Sequence, residues 1–279
     1  MKSLFIRLGQ KKKKLMNVHK RVYNLQNQTI TLSEDEVHIW NYDLDKILPL
    51  KNQLEKILSV DELVRANKFH FEIDKDRFIC SRGILRILLS IYTGISSKRI
   101  NFTFNDYGKP SISSVHNQPG FHFNLSHSKQ FMSVGFVKDA LIGVDVELMK
   151  PLKDHLEIAK RFFSNSEIEQ LNSFTPEKIL DGFYSCWTAK EAVIKLSGEG
   201  LSYPLKDFDV QIKEVSIGET YKYKVNLKNR DENLFVEVFR IQKDLFGACA
   251  VNKENFKTVY CYFNDAADSI NYFLGSSTN

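Results

Sequence analysis

The sequence predicts an α+β fold made of two successive halves, each with helices followed by antiparallel strands. Some segments repeat their apolar residues every three or four positions, the period of a helix, whereas others alternate apolar and polar residues, the period of a strand. Strands predicted at 131–137 and 141–148 are separated by three residues, which is typical of a hairpin joining antiparallel strands. At 279 residues the chain is long enough to bury a substantial core.

The predicted elements follow a similar order in the two halves. Up to residue 148 the chain is predicted to contain a strand at 37–42, helices at 53–58, 60–71 and 74–92, and strands at 101–104, 120–125, 131–137 and 141–148, the last of which opens the second half. Beyond residue 151 the second half is predicted to contain helices at 156–163, 166–172 and 177–196, and strands at 208–212, 221–227, 234–241, 247–251 and 258–263. The resulting boundaries are a Lys-rich, flexible extension at 1–29, an N-terminal half at 30–141, a C-terminal half at 142–266 and a frayed tail at 267–279.

Composition sets mild limits on function. The formal net charge is +5, but six of the positive charges lie at Lys11 to Lys14 and Lys20-Arg21, so the rest of the chain is close to neutral. The four cysteines are scattered without metal-binding spacing, which is typical of reduced core residues in a cytoplasmic protein. We find neither a secretory signal nor an apolar run long enough to span a bilayer. We therefore expect a soluble cytoplasmic protein with no nucleic-acid or membrane partner.

Glu191 stands on the apolar stripe of a predicted helix. The residues that form the stripe, at spacings of three and four, are Leu180, Phe183, Tyr184, Trp187 and Ile194. A buried carboxylate is costly unless it is neutralised, hydrogen-bonded or bound to a cation. Lys195, one turn further on, could share an anion or a metal-bound ligand with Glu191, although this spacing also describes an ordinary exposed ion pair.

Two more carboxylates share one face of a predicted strand. Gly143, Asp145 and Glu147 alternate with apolar residues, which places the two carboxylates about 7 Å apart and pointing the same way. Together with Glu191, these oxygen ligands would suit Mg²⁺ or Mn²⁺. The alternative is that Asp145 and Glu147 lie on the solvent-facing side of an antiparallel strand.

Two polar segments contain groups that could bind phosphate. In Tyr107-Gly-Lys-Pro110 a turn presents Lys109 at a loop tip, although glycine and proline are common in any surface turn. Ser126 and His127 end a strand with donors that could hold a phosphate, although such a histidine is usually structural. The sequence has no G-x-S-x-G, Rossmann or P-loop motif, which excludes the corresponding hydrolases and nucleotide-binding folds.

Five short motifs occur in one order along the chain. They are Tyr107-Gly-Lys-Pro110, Phe123-Asn-Leu-Ser-His-Ser128, Gly143-Val-Asp-Val-Glu147, Lys160-Arg-Phe-Phe-Ser164 and Trp187-Thr-Ala-Lys-Glu-Ala192 followed by Lys195. This set resembles the 4′-phosphopantetheinyl transferases of the Sfp type over roughly residues 37–263. The resemblance implies a pseudo-dimer of two similar α+β halves with antiparallel sheets, coenzyme A in the cleft between them, and a monomeric state. It also implies transfer of 4′-phosphopantetheine from coenzyme A to a serine of an apo acyl or peptidyl carrier protein, with release of adenosine 3′,5′-bisphosphate.

The resemblance also assigns roles at the reacting centre. Asp145, Glu147 and Glu191 would be the ligands of Mg²⁺, or of Mn²⁺, which accepts the same oxygens. Glu191 would act as the general base for the serine hydroxyl, directly or through a metal-bound water. Lys195 would stabilise charge on the pyrophosphate and the leaving group.

A second group of residues would bind coenzyme A away from the reacting centre. Lys109, Ser126 and His127 match family positions that hold its phosphates. Arg65 and Arg77 are placed at the 3′-phosphate by a looser alignment, and the alternative for both is a solvated helix face. By the same resemblance, the segment 150–163 should dock the carrier protein, whose helices are typically acidic.

Three other interpretations remain at this point. A Mg²⁺-dependent hydrolase could cleave the pyrophosphate of coenzyme A with water as the nucleophile. A non-catalytic module could bind coenzyme A or the carrier protein without turnover. In the third interpretation the carboxylates are merely surface residues, and their replacement changes stability by a few tenths of a kcal/mol.

Overall fold

Two five-stranded sheets dominate the part of the chain that the computed structural model describes, which is residues 16–17, 19–24, 30–113, 119–228 and 232–276. In chain order the strands are β1 (Met16–Asn17), β2 (His19–Tyr23), β3 (Glu36–Asp43), β4 (Phe102–Phe104), β5 (Pro110–Ile112), β6 (Phe121–Ser128), β7 (Phe131–Lys138), β8 (Ile142–Leu148), β9 (Glu219–Asn226), β10 (Asn233–Gln242), β11 (Leu245–Val251) and β12 (Lys257–Phe263). The first sheet has the strand order β2-β12-β3-β7-β6, and the second sheet has the order β1-β9-β10-β11-β8. The strands β4 and β5 form a separate antiparallel hairpin.

Helices cover one side of each sheet. They are α1 (Lys51–Glu55), α2 (Val60–Ala66), α3 (Glu72–Thr93), α4 (His155–Phe162), α5 (Asn165–Asn172), α6 (Ile179–Ser197) and α7 (Ala266–Ser276). The long helix α3 packs its Ile84 and Leu88 into a core with Trp40 of the first sheet. In the second half, α6 packs on the second sheet, and a third apolar cluster lies between the two sheets. The α+β class and the two-half organisation are confirmed.

The last strand does not belong to the half in which the sequence placed it. The predicted C-terminal half at 142–266 includes β12, but β12 lies in the first sheet between β2 and β3 and runs parallel to both. Val259 and Phe263 face the first core, while Tyr260 lies in the cluster between the sheets. A strand that is buried on both faces carries no alternation to indicate which sheet it joins.

Both ends of the chain contain more regular structure than the sequence predicted. Within the extension expected to be flexible, β2 pairs with β12, and Arg21 holds Glu36 at 2.8 Å. Lys11 to Lys14 lie outside the described residues. The tail expected to be frayed contains α7, whose Ile270 is buried against the first core. These contacts anchor both segments through residues far away in the sequence, which local patterns do not reveal.

The strand predicted at 208–212 is also wrong. Phe208 makes an isolated bridge to Leu227, and the rest of the segment is irregular. Its alternating apolar residues are buried, but the backbone amides of Val210 and Ile212 donate to the side chains of α5. Side chains therefore take the place of a neighbouring strand.

None of the helices in the described ranges is both long and apolar enough to cross a membrane.

Candidate active site

The two halves meet where the edge strands of the two sheets face each other. β6 is the edge of the first sheet and β8 is the edge of the second. The side chain of Asn124 accepts a hydrogen bond from the backbone amide of Val144 at 2.8 Å. Ser128 Oγ accepts one from the amide of Leu148 at 3.0 Å. Alternate side chains of β6 thus satisfy backbone donors of β8 that have no neighbouring strand.

Asp145 is the most buried acidic residue at this junction, with 2% of its surface exposed. Its Oδ1 accepts hydrogen bonds from Ser126 Oγ at 2.8 Å and from Lys195 Nζ at 2.6 Å. Lys195 Nζ also donates to Ser126 Oγ at 2.9 Å. The interpretation of Asp145 as a solvent-facing residue is therefore wrong. Its Oδ2 is buried and has no hydrogen-bond partner among the described residues, so it has a free coordination position.

Glu147 is two residues further along the same face of β8, as the alternation predicted. It is half-buried, and its carboxylate accepts a hydrogen bond from Ser128 Oγ at 2.7 Å. Burial raises the pKa of Glu147, and the nearby charge of Asp145 raises it further. The two carboxylates are thus close enough to repel each other.

Gly143 brings Glu191 and Lys195 to these carboxylates. A Cβ atom at Gly143 would stand 2.0 Å from the carbonyl oxygen of Ala192, so α6 can lie on β8 only because this side chain is absent. Glu191 is half-buried and makes no hydrogen bond or ion pair with any residue that the structure describes. Burial, followed by the charge of Asp145, raises the pKa of Glu191 to about 7.

The three carboxylates fit a divalent cation chemically. Asp145 has an unpaired buried oxygen, and the pKa values of Glu147 and Glu191 are raised in part by negative neighbours. Both features indicate an excess of negative charge that a hard cation would neutralise. In the structure, the ammonium group of Lys195 forms the ion pair with Asp145. Among the described residues, no three His, Cys, Asp or Glu side chains are arranged closely enough to bind one metal ion together.

Lys109 is held at the junction rather than presented at a loop tip. Its Nζ donates to the carbonyl oxygens of Ile142 at 3.0 Å and Leu196 at 2.8 Å, which lie at the start of β8 and the end of α6. Burial lowers the pKa of Lys109 to about 8. Asn105 supports the turn by accepting from the backbone amide of Lys109 at 2.8 Å. Lys109 therefore fastens the β4–β5 hairpin to the second half.

An open cleft of about 290 Å³ adjoins these groups. Residues from both halves line it, including Lys109, Asn124 and Leu125 from the first half and Glu191 and Lys195 from the second. Two lysines and one titratable carboxylate thus line the same cleft. The lysines suit a ligand that carries phosphate, and the carboxylate can exchange a proton with a group bound beside it.

A neighbouring cavity of about 210 Å³ contains His127 and Arg77. The ring of His127 contacts Ser81 of α3 through Nε2, and Arg77 binds Asp45 through two hydrogen bonds of 2.8 and 2.9 Å. Arg65 does not line the cavity, but its guanidinium stands 5.5 Å above the ring of Phe78, which does. His127 and Arg77 are thus brought together, while Arg65 lies beside them.

Several site residues were not singled out from the sequence. No local sequence pattern indicates a role for Asn105 or Ser81, because each hydrogen-bonds to a residue that is distant in the chain. Asn124 and Ser128 belong to a quoted motif, and their strand alternation with Ser126 was the available signal. Lys190 points away from the cleft and forms a fully buried ion pair with Glu167 at 2.8 Å.

Two α+β halves with carboxylates, lysines and a cleft at their junction define the architecture that the five motifs led us to expect. A family model described as the 4′-phosphopantetheinyl transferase superfamily matches residues 141–250, and one described as 4′-phosphopantetheinyl transferase, N-terminal, matches residues 49–136. The first covers β8 to most of β11, including α6, and the second covers α1 to most of β7.

Three relatives agree with the family models. The 4′-phosphopantetheinyl transferase HetI of Nostoc sp. is 38% identical over 173 residues, which is 62% of this chain and 73% of HetI. The 4′-phosphopantetheinyl transferase Sfp of Bacillus subtilis is 34% identical over 157 residues, which is 56% of this chain and 67% of Sfp. The L-aminoadipate-semialdehyde dehydrogenase-phosphopantetheinyl transferase of Mus musculus is 30% identical over 207 residues, which is 69% of this chain and 66% of the mouse protein.

The chain belongs to the 4′-phosphopantetheinyl transferase superfamily. It is a transferase that attaches phosphopantetheine to carrier proteins, and its resemblance to the Sfp type is confirmed.

Proposed function

We propose that the enzyme takes 4′-phosphopantetheine from coenzyme A, in a Mg²⁺-dependent reaction, and transfers it to a serine hydroxyl of an apo acyl or peptidyl carrier protein. The observation that carries this proposal is the junction of Asp145, Ser126 and Lys195 beside Glu147 and Glu191. It unites the three requirements of phosphoryl transfer, which are oxygen ligands for a cation, positive charge for phosphates and a proton acceptor.

In the proposed reaction the serine oxygen attacks the phosphorus that carries pantetheine. A new P–O bond forms, the pyrophosphate P–O bond breaks, and adenosine 3′,5′-bisphosphate leaves with the bond electrons. Glu191 is our candidate acceptor of the serine proton, because a pKa of about 7 leaves it partly ionised near neutral pH. Lys195 lies where it can offset charge on the pyrophosphate and the leaving group.

Asp145, Glu147 and Glu191 are the residues that would hold Mg²⁺ or Mn²⁺. The free Oδ2 of Asp145 and the raised pKa values of the two glutamates support this assignment. When bound, the cation would neutralise the pyrophosphate. Lys195 would then be free to turn from Asp145 towards the substrate.

The phosphate-binding residues divide between the two cavities. Lys109 and Lys195 face the cleft beside Glu191, and Ser126 lies behind Lys195. His127 and Arg77 share the neighbouring cavity, with Arg65 beside it, which supports their assignment to the 3′-phosphate of coenzyme A.

We propose the segment 150–163 as the docking surface for the carrier protein. Lys150 and Lys153 are exposed there, and Leu156 has 40% of its surface exposed, so the segment offers basic and apolar contacts to acidic helices. We also propose that the enzyme acts as a monomer, because one chain supplies both sides of the cleft. Four free buried cysteines support an expected location in the cytoplasm.

Intact-protein mass spectrometry of an apo carrier protein tests the proposal. The carrier is incubated with the enzyme, coenzyme A and Mg²⁺, beside Glu191→Ala and a chelator control. A mass gain of one phosphopantetheine, absent from both controls, supports the metal and Glu191 roles together. Cleavage of coenzyme A without modification of any carrier would instead support the hydrolase alternative, and binding without turnover the non-catalytic module.

A further inference from the structure

The turn between β6 and β7 contains an unusual backbone. Only Lys129 and Gln130 connect the paired residues Ser128 and Phe131. Lys129 has φ +55°, in the left-handed region that glycine adopts without strain and lysine adopts rarely. Two-residue hairpins commonly use glycine or asparagine at such positions. Strained residues of this kind cluster at active sites and ligand-binding sites.

The side chain of Lys129 lines the cavity that also contains Arg77 and His127. The apolar part of the wall consists of Leu44, Phe69 and Phe78. One carboxylate, Asp74, also lines the cavity, and Asp45 already engages Arg77 with both oxygens. Lys129 forms no hydrogen bond or ion pair with the described residues, so its ammonium group is available.

Cationic side chains lie close to His127. The pKa of His127 is lowered, first because part of its ring is withdrawn from water and then because Lys195, Arg82 and Arg65 are near. A neutral His127 can still donate one hydrogen bond. Since Arg77 is largely neutralised by Asp45, a doubly charged anion in this cavity needs a second, unpaired cation. Lys129 is the residue placed to supply it.

We propose that Lys129 is a phosphate-contacting residue that completes, with Arg77 and His127, a subsite for a phosphate monoester. This proposal rests on the proposed use of coenzyme A, whose 3′-phosphate is such a monoester. The strained backbone directs the lysine from the hairpin tip into the cavity, whereas a glycine would relax the turn but leave the phosphate with fewer partners.

Calorimetric titration with adenosine 3′,5′-bisphosphate and with adenosine 5′-monophosphate tests this role without requiring turnover. Lys129→Gly should bind the bisphosphate about tenfold more weakly and the monophosphate as the parent does. The melting temperature of Lys129→Gly should rise, because the strain is relieved. A merely destabilising substitution would not produce opposite changes in stability and affinity.

Asp139→Gly is the matched control. Asp139 is the other non-glycine residue with positive φ in the described ranges, at +51° in the β7–β8 turn, and it does not line the cavity. Its replacement should leave both affinities unchanged, and Lys129→Arg should retain the affinity for the bisphosphate. If Lys129→Gly binds the bisphosphate as tightly as the parent, the role of Lys129 is overturned. If the parent itself binds neither nucleotide, the proposed use of coenzyme A fails.

Discussion

Lys195 Nζ stands 2.6 Å from Asp145 Oδ1, so in this arrangement a lysine supplies the positive charge that a metal ion would otherwise bring to a buried carboxylate. The lysine has 30% of its side-chain surface exposed, whereas the aspartate has 2%. The lysine can therefore move into the cleft, but the aspartate cannot.

Replacing Lys195 with methionine should make the protein depend on Mg²⁺ for stability. Without the ammonium group, Asp145 is left buried without a compensating charge, and we expect a loss of about 1–3 kcal/mol in the free energy of unfolding. Mg²⁺ should restore more stability to Lys195→Met than to the parent. Urea denaturation with and without Mg²⁺ measures the loss of stability and its recovery. Lys160→Met, which removes one partner of an exposed ion pair, is the control. Equal stabilisation of all three proteins would argue against a cation at Asp145.

Replacing Gly143 with alanine should move α6 away from β8. The new Cβ would overlap the carbonyl oxygen of Ala192, a backbone atom that cannot yield without moving the helix. We expect transferase activity to fall at least tenfold, roughly the effect of displacing a positioned group by a fraction of an ångström. Gly275→Ala is the control, because nothing lies within 4 Å of a Cβ there. Full activity of Gly143→Ala in a carrier-modification assay would show that α6 need not lie so close.

The buried Lys109 should make the protein more stable as the pH rises from about 8 to 10.5. Its pKa is lowered from 10.5 to about 8 by burial, so in this range the unfolded chain binds more protons than the folded one, and stability increases with pH. The increment is about 3 kcal/mol, from 1.36 kcal/mol per pKa unit. It should be missing from Lys109→Met. The measurement is the difference in unfolding free energy between parent and variant at the two pH values, and a constant difference would contradict the prediction.

Breaking the buried pair of Lys190 and Glu167 should strongly destabilise the second half. Neither side chain is exposed, and Lys190 also donates to the carbonyl oxygens of Leu205 and Phe208. Lys190→Met should therefore lower the free energy of unfolding by about 3–5 kcal/mol, since it leaves a buried carboxylate unpaired. Adding Glu167→Gln should recover part of this loss. Thermal unfolding of the single and double variants measures these changes in the free energy of unfolding. Strictly additive changes would show that the two residues do not interact.

The sequence predicted the face of β8 well, because strand alternation is a local rule. Gly143, Asp145 and Glu147 do share one side, and the stripe on α6 does present Glu191 towards them. What alternation could not predict is which partner covers that face, since that depends on contacts such as Lys109 to Leu196, between residues far apart in sequence.

Predictions failed where the burial pattern of a segment was correct but the element that it packs against or hydrogen-bonds to was not the expected one. The alternation at 208–212 reflects true burial, yet its amides bond to side chains of α5 rather than to a strand. The last strand, β12, is apolar or aromatic without interruption from Val259 to Phe263, and such a continuous run does not indicate which strands lie beside it. The contact of Arg77 with Asp45, 32 residues away, was likewise not visible in the local pattern, although it leaves the predicted phosphate role of Arg77 untested.

The meeting of β6 and β8 also bears on how the enzyme avoids self-association. An open strand edge is a template for pairing with foreign chains, and here Asn124 and Ser128 of β6 occupy two backbone amides on the edge of β8. Substitutions that separate the halves would therefore uncover this edge. Aggregation, rather than a simple loss of turnover, is the expected failure of such variants, and the same motif protects the chain and builds its site.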